Sequence, residues 1–193
     1  MILRGESVPS LAQEVLRLIM GAPIRKVARF SWWSPEESAI ECNLEDSEVF
    51  SYTEGPLLIY LESGEVVGMS SDEAKNSVVV WLEQDVNGNL HEESLESNDE
   101  FFPVANDDGR FCGGIWRDVS GKKVVEIFVV KCKARNVMYG DLPNEVGLRM
   151  ILEDGGELFV CHKLFDRVSN FSVSEFSALE EDVLGELNSF CIL

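Results

Sequence analysis

Apolar residues in this chain fall mostly in short runs bounded by glycine, proline and asparagine. That is the pattern of short strands joined by tight turns. A helix opens the chain: Leu11, Val15, Leu18 and Ile19 recur at helical spacing, Ser10 and Gln13 fit a capping box, and Gly21 with Pro23 ends the run. Strands are predicted at 27–33 and 39–44, parted by Ser34-Pro35, and at 57–61 and 66–69, joined as a hairpin by Ser63-Gly64. Another is predicted at 78–82 before the strong turn signal Asn87-Gly88. Residues 90–109 are polar and read as a long surface loop with a short strand at Phe101-Phe102. Further strands are predicted at 124–130, 146–152 and 158–161, the last two forming a hairpin across Asp154-Gly155-Gly156. Ser172 and Glu175 fit a second capping box, and it opens a C-terminal helix with Phe176, Leu179, Val183, Leu184 and Leu187 on one face.

The predicted class is α+β, mainly antiparallel sheet with short helices at both ends. Residues 55–67 (GPLLIYLESGEVV) and 146–159 (VGLRMILEDGGELF) each read as a strand ending in Leu-Glu, a glycine turn, then Glu and an apolar pair. Two similar sheet-based halves are therefore expected: 1–97 and 110–193, joined by a connecting loop at 98–109. One domain is the alternative, since 193 residues suffice for a single core.

Charge divides the halves. From Phe30 through Gly109 there are 20 acidic side chains and one basic, Lys75, a local balance of −19 that equals the charge of the whole chain. Such a field repels nucleic acid and anionic membranes and attracts basic partners. No apolar run approaches the ~20 residues of a membrane helix. The stretch 11–20 contains Glu14 and Arg17, so it does not read as a secretory signal. The five widely spaced cysteines include no C-x-x-C pair. They read as reduced thiols in a cytoplasmic protein, without structural zinc.

Catalytic motifs are weak. No nucleophile elbow, P-loop or dinucleotide fingerprint is present. Asp85-x-Asn87-Gly88-Asn89 and Asn106-Asp107-Asp108-Gly109 carry oxygen ligands beside glycine, but these are turn chemistry and lack EF-hand spacing. His91 reads as exposed and His162 as a strand end; on a strand, Cys161 and His162 face opposite ways and cannot share a metal. No cofactor is predicted. Trp32-Trp33 places one indole on each face of a strand, one for the core and one, Trp33, for a partner.

Residues 145–160 (EVGLRMILEDGGELFV) and 164–173 (LFDRVSNFSV) give a glycine-turn hairpin, a short connector and a Phe-x-Val entry into a final helix. In this the chain resembles small acidic bacterial immunity proteins of secreted-toxin systems. The resemblance covers about a fifth of the chain and implies a non-enzymatic cytoplasmic inhibitor of one cognate toxin, with no residue role carried over. With the charge block, it leads to a protein that docks and neutralises a basic partner. The contact residues expected are those outside predicted strands: Glu36, Glu37, Glu45, Asp46, Glu48, Asp72, Glu73, Glu92, Glu93, Glu96, Asp99, Glu100, Asp107 and Asp108, with Trp33. Two alternatives stand beside it: a carboxylate- or divalent-metal-dependent enzyme, and a structural or assembly protein.

Overall fold

The structure, a computed structural model, describes residues 5–90, 94–134, 137–166 and 170–193. Two five-stranded antiparallel sheets face each other. The first contains β1 (Ile24–Ser31), β2 (Leu57–Leu61), β3 (Val66–Asp72), β4 (Ser77–Gln84) and β5 (Phe102–Ala105), in the order β4-β3-β2-β1-β5. The second contains β6 (Val124–Cys132), β7 (Gly147–Leu152), β8 (Glu157–His162), β9 (Phe171–Ser174) and β10 (Leu187–Cys191), in the order β10-β6-β7-β8-β9. Each sheet is a four-strand meander whose fifth strand returns beside the first.

The two halves agree in register as well as in order. Ile24 pairs with Leu61 and Lys26 with Tyr60 across a bulge; Val124 pairs with Leu152 and Glu126 with Ile151 across the same bulge. The hairpins read as similar in the sequence occupy equivalent places. In one, the Leu61 N–H donates to Glu65 O at 2.9 Å, and in the other the Leu152 N–H donates to Gly156 O at 2.8 Å. Gly64 and Gly155 hold positive φ at matching points of the two turns, where a side chain would be strained.

Equivalent inward positions meet in one core. Val27, Ile59, Leu61, Val67, Met69 and Val80 from the first sheet pack in a single cluster with Ile127, Met150, Leu152, Leu158, Val160 and Val173 from the second. The helix α1 (Gln13–Gly21) adds Leu16 and Ile19 to that cluster, and the segment before β6 adds Trp116. The core thus spans both halves. On the outer face of each sheet, the connection between the fourth and fifth strands lies over a smaller cluster. Leu95 and Phe101 cover Phe30, Leu58, Tyr60 and Trp81, while Phe176, Val183 and Leu184 cover Val130, Phe159 and Cys161. Gly68 makes room for the first arrangement, since a Cβ there would lie 2.1 Å from the Trp81 ring.

Three predicted elements differ. Residues 39–44 are not a strand: α2 (Pro35–Glu41) starts at Ser34, whose hydroxyl accepts from the Glu37 N–H while the Glu37 carboxylate accepts from the Ser34 N–H. Pro35 at the first helical position adds a preset φ, so Ser34-Pro35 begins a helix where it was read as a turn. At the N-terminus, Ser10 does not cap α1; its hydroxyl and N–H both donate to Glu145, at 2.6 and 2.8 Å. No long C-terminal helix forms. Residues 171–174 alternate into β9, the chain then makes a short 3-10 turn and one helical turn, α4 (Glu181–Leu184), and it ends in β10. The apolar set predicted for one helix face, Phe176, Leu179, Val183, Leu184 and Leu187, still packs on one cluster. A broken path across the sheet satisfies the same spacing as a helix. Within 98–109, read as connecting loop with a short strand at Phe101-Phe102, the strand is β5, residues 102–105, on the edge of the first sheet.

Candidate partner-binding surface

The end of β1 builds the most distinctive exposed surface. Ser31 pairs in register with Phe102, and the strand stops there. Trp32 and Trp33 follow, 50% and 46% exposed, so the expected division into one buried and one exposed indole does not occur. Strand alternation ceases to apply one residue before the pair. Phe102 is exposed too, and Trp32 lies against Phe101 with ring centroids 4.3 Å apart. Four aromatic residues thus sit around one register pair. Asp99 and Glu100 precede them on β5's approach, and Glu36 and Glu37 follow them in the first turn of α2, all exposed.

A buried polar network holds this end in place. The hydroxyls of Ser31, Ser38 and Thr53, all fully buried, lie within 2.6 to 3.0 Å of one another and tie β1, α2 and α3 (Val49–Tyr52) together. The Trp33 N–H donates to Ser31 Oγ at 3.1 Å. Beneath it Arg29 is fully buried, donates to the Thr53 and Phe171 carbonyls, and stacks 5.0 Å from the Phe171 ring centre. Burial pushes its guanidinium down to about 9, which still leaves it charged at neutral pH. Arg29 is the residue that sequence reading missed; an arginine among Val27, Ala28 and Phe30 looks like the polar face of a strand, yet it points into the core.

The predicted acidic residues do not form one surface. Glu36, Asp46 and Asp108 meet at Arg110, which bonds Glu36 at 3.2 Å and Asp46 at 2.7 Å and whose N–H donates to Asp108; Glu37, Glu45, Glu48 and Asp107 are on the same short segments as these three. Glu96, Asp99 and Glu100 lie in the connection over the first sheet's outer face, where Glu96 accepts from the Tyr60 hydroxyl at 2.7 Å. Asp72 and Glu73 stand apart at the β3–β4 turn, paired with Lys75 and Lys163 at 2.8 Å each. Glu92, Glu93 and His91 lie outside the described residues. The first two groups flank the aromatic end, and the third does not.

Acidic residues of the second half join the first group. A cleft of roughly 460 Å³ is lined by Glu48, Asp166, Glu180 and Asp182 together with Tyr52 and Phe165, whose rings meet edge to face at 5.7 Å. The even charge balance of the second half hid these three carboxylates, although no lysine or arginine among the described residues lines the cleft. Trp116, by contrast, is core: it is 1% exposed and donates to the Ser174 carbonyl at 3.3 Å.

Among the described residues no group of three or more His, Cys, Asp or Glu side chains could hold a metal ion, and no helix is long and apolar enough to cross a membrane. The five cysteines are free thiols, of which Cys191 is exposed. His162 ends β8 and is buried. Burial, with Lys163 beside it, pushes its imidazole below the ordinary value of 6.5. The unfolded chain takes up a proton as pH falls through 6.5 and the folded chain does not, so folding stability drops below that pH. His162→Gln is expected to flatten this dependence. Its thermal midpoint should fall less than that of the unmodified chain between pH 7 and about 5, and parallel curves would refute the assignment.

No family model matches the chain, and neither a curated protein nor a solved structure matches it.

Proposed function

We infer that this chain is a non-enzymatic binding protein that docks and neutralises a basic partner protein, in the manner of an immunity protein blocking a toxin. The observation that carries this reading is the set of exposed aromatics, Trp32, Trp33 and Phe102, between carboxylates on both sides. Large aromatic side chains supply the central contacts of protein interfaces. Surrounding charge of one sign speeds the encounter and selects the partner's sign. The buried Ser31–Ser38–Thr53 network fits the same role, since a preorganised surface loses less freedom on binding.

The test pairs capture with kinetics. The full chain, immobilised, is expected to retain one basic protein from the cells that make it. The association rate should fall as salt rises, since charges are screened beyond ~8 Å at physiological ionic strength. Asp99→Lys with Glu100→Lys should slow association about tenfold or more, and Trp32→Ala with Trp33→Ala should mainly speed dissociation. A partner whose association ignores salt and both double variants would overturn the reading.

A further inference from the structure

A cavity of roughly 200 Å³ lies away from the aromatic end, where the ends of β6 and β8 approach the start of β7 and the connection leading to β10. Val146, Leu164, Val183 and Leu187 give it apolar walls, and His162, Lys133 and Lys163 its polar ones. Lys163 on its rim holds a positive φ of 51°, a conformation that a lysine adopts at a cost. Such strained positions persist where the surrounding structure imposes them, and they gather at binding sites.

His162 is the decisive feature. It is 1% exposed, and its Nδ1 has no hydrogen-bond partner among the described residues. His162 is part of the cavity's wall, and a neutral imidazole whose proton is on the other nitrogen accepts a hydrogen bond at Nδ1. Buried polar atoms are almost always satisfied, so an unmet one on a residue that lines a cavity marks a place for a ligand atom. The charge of the ligand follows from the lysines. Three other cavities are lined by carboxylates and by no lysine or arginine, whereas this one has Lys133 and Lys163 on its wall. Lys163 already bonds Glu73, but an ammonium has three protons to donate. Glu186, also on the wall, limits the ligand to a single anionic group. The volume is below the ~300–1,000 Å³ of sites for drug-sized ligands, which suits one ring or a short branched chain.

We propose that this cavity binds a small monoanion with an apolar body and one O–H or N–H donor, the donor on His162 Nδ1 and the anionic group at Lys133 and Lys163. The site is separate from the aromatic surface, and the two readings fail independently.

The test uses the full chain labelled with ¹⁵N and titrated with 4-hydroxybenzoate, read at the His162 imidazole nitrogens. A saturable shift of Nδ1 towards a hydrogen-bonded value is expected. Benzoate, which lacks the donor, and 4-hydroxybenzylamine, which reverses the charge, should each bind about tenfold more weakly. Lys133→Glu, at an exposed position, should weaken 4-hydroxybenzoate binding severalfold while leaving thermal stability unchanged. Absence of a saturable His162 shift, equal binding of the amine, or full binding by Lys133→Glu would each overturn the proposal.

Discussion

Alanine at Gly55 will lower the stability of this protein by about 2–5 kcal/mol. Gly55 sits at φ 129°, and a Cβ there would lie 1.8 Å from the Phe30 carbonyl oxygen. Backbone cannot move aside as a side-chain tip can. The Phe30 N–H donates to Pro56 O at 2.9 Å, so β1 and the entry to β2 are locked together where the clash falls. Overpacking costs roughly 1–3 kcal/mol, and forcing a side chain into a backbone region it avoids adds about 1–2. The urea midpoint should move down with an unchanged slope, because the surface exposed on unfolding is the same. The strain lies next to Trp32, so its fluorescence should report a wetter indole before global unfolding. A midpoint equal to that of the unmodified chain would refute the close approach of Gly55 to Phe30.

Glu145→Ala will cost a comparable amount, about 2–5 kcal/mol, since two donors lose their acceptor at about 1–3 kcal/mol each. The Glu145 carboxylate is 1% exposed and takes three donors: the Ser10 N–H, the Ser10 hydroxyl, and Lys131 at 3.2 Å. Its backbone joins β4 as well, accepting from the Val78 N–H at 2.8 Å and donating to Ser77 Oγ at 2.9 Å. One residue therefore fastens the N-terminal segment and the first sheet to the second. Removing the carboxylate leaves the two part-buried Ser10 donors without their acceptor, and that loss exceeds the worth of the ion pair itself. Lys131→Met should cost much less, since the lysine side chain is 42% exposed and water can solvate what remains. Glu145→Gln should fall between the two, as it keeps an acceptor and loses the charge. Equal midpoints for Glu145→Ala and Lys131→Met in chemical denaturation would refute this account.

Much of the fold was legible because its hairpins are local. Ser63-Gly64 and Asp154-Gly155-Gly156 each lie between apolar runs, and both turns form where read. The repeat between them is visible in sequence because register ties turn chemistry to the inward positions. What failed was any segment with two local solutions. Residues 34–37 satisfy both a turn and a capped helix, and the proline at 35 with the glutamate at 37 decides for helix. Residues 172–187 satisfy helical spacing, but β8 lacked a partner on its free side, and residues 171–174 supply it. The site was less legible. Charge counted along the chain says nothing of which carboxylates meet in space, so Asp72 and Glu73 were grouped with distant residues and Asp166, Glu180 and Asp182 were overlooked. Exposure of both tryptophans depends on the strand ending at Ser31, two residues earlier than the predicted end at Trp33.

The return of β5 to β1 has a consequence for how the chain matures. Ser31 must wait for Phe102 to be made and brought back before the two strands can zip together, and such distant pairings form late because ring closure opposes them. Trp32 finds Phe101 only at that moment. A nascent or half-assembled chain therefore has no completed aromatic end, and any molecule that bound that end would select finished chains and, by mass action, hold them in that state.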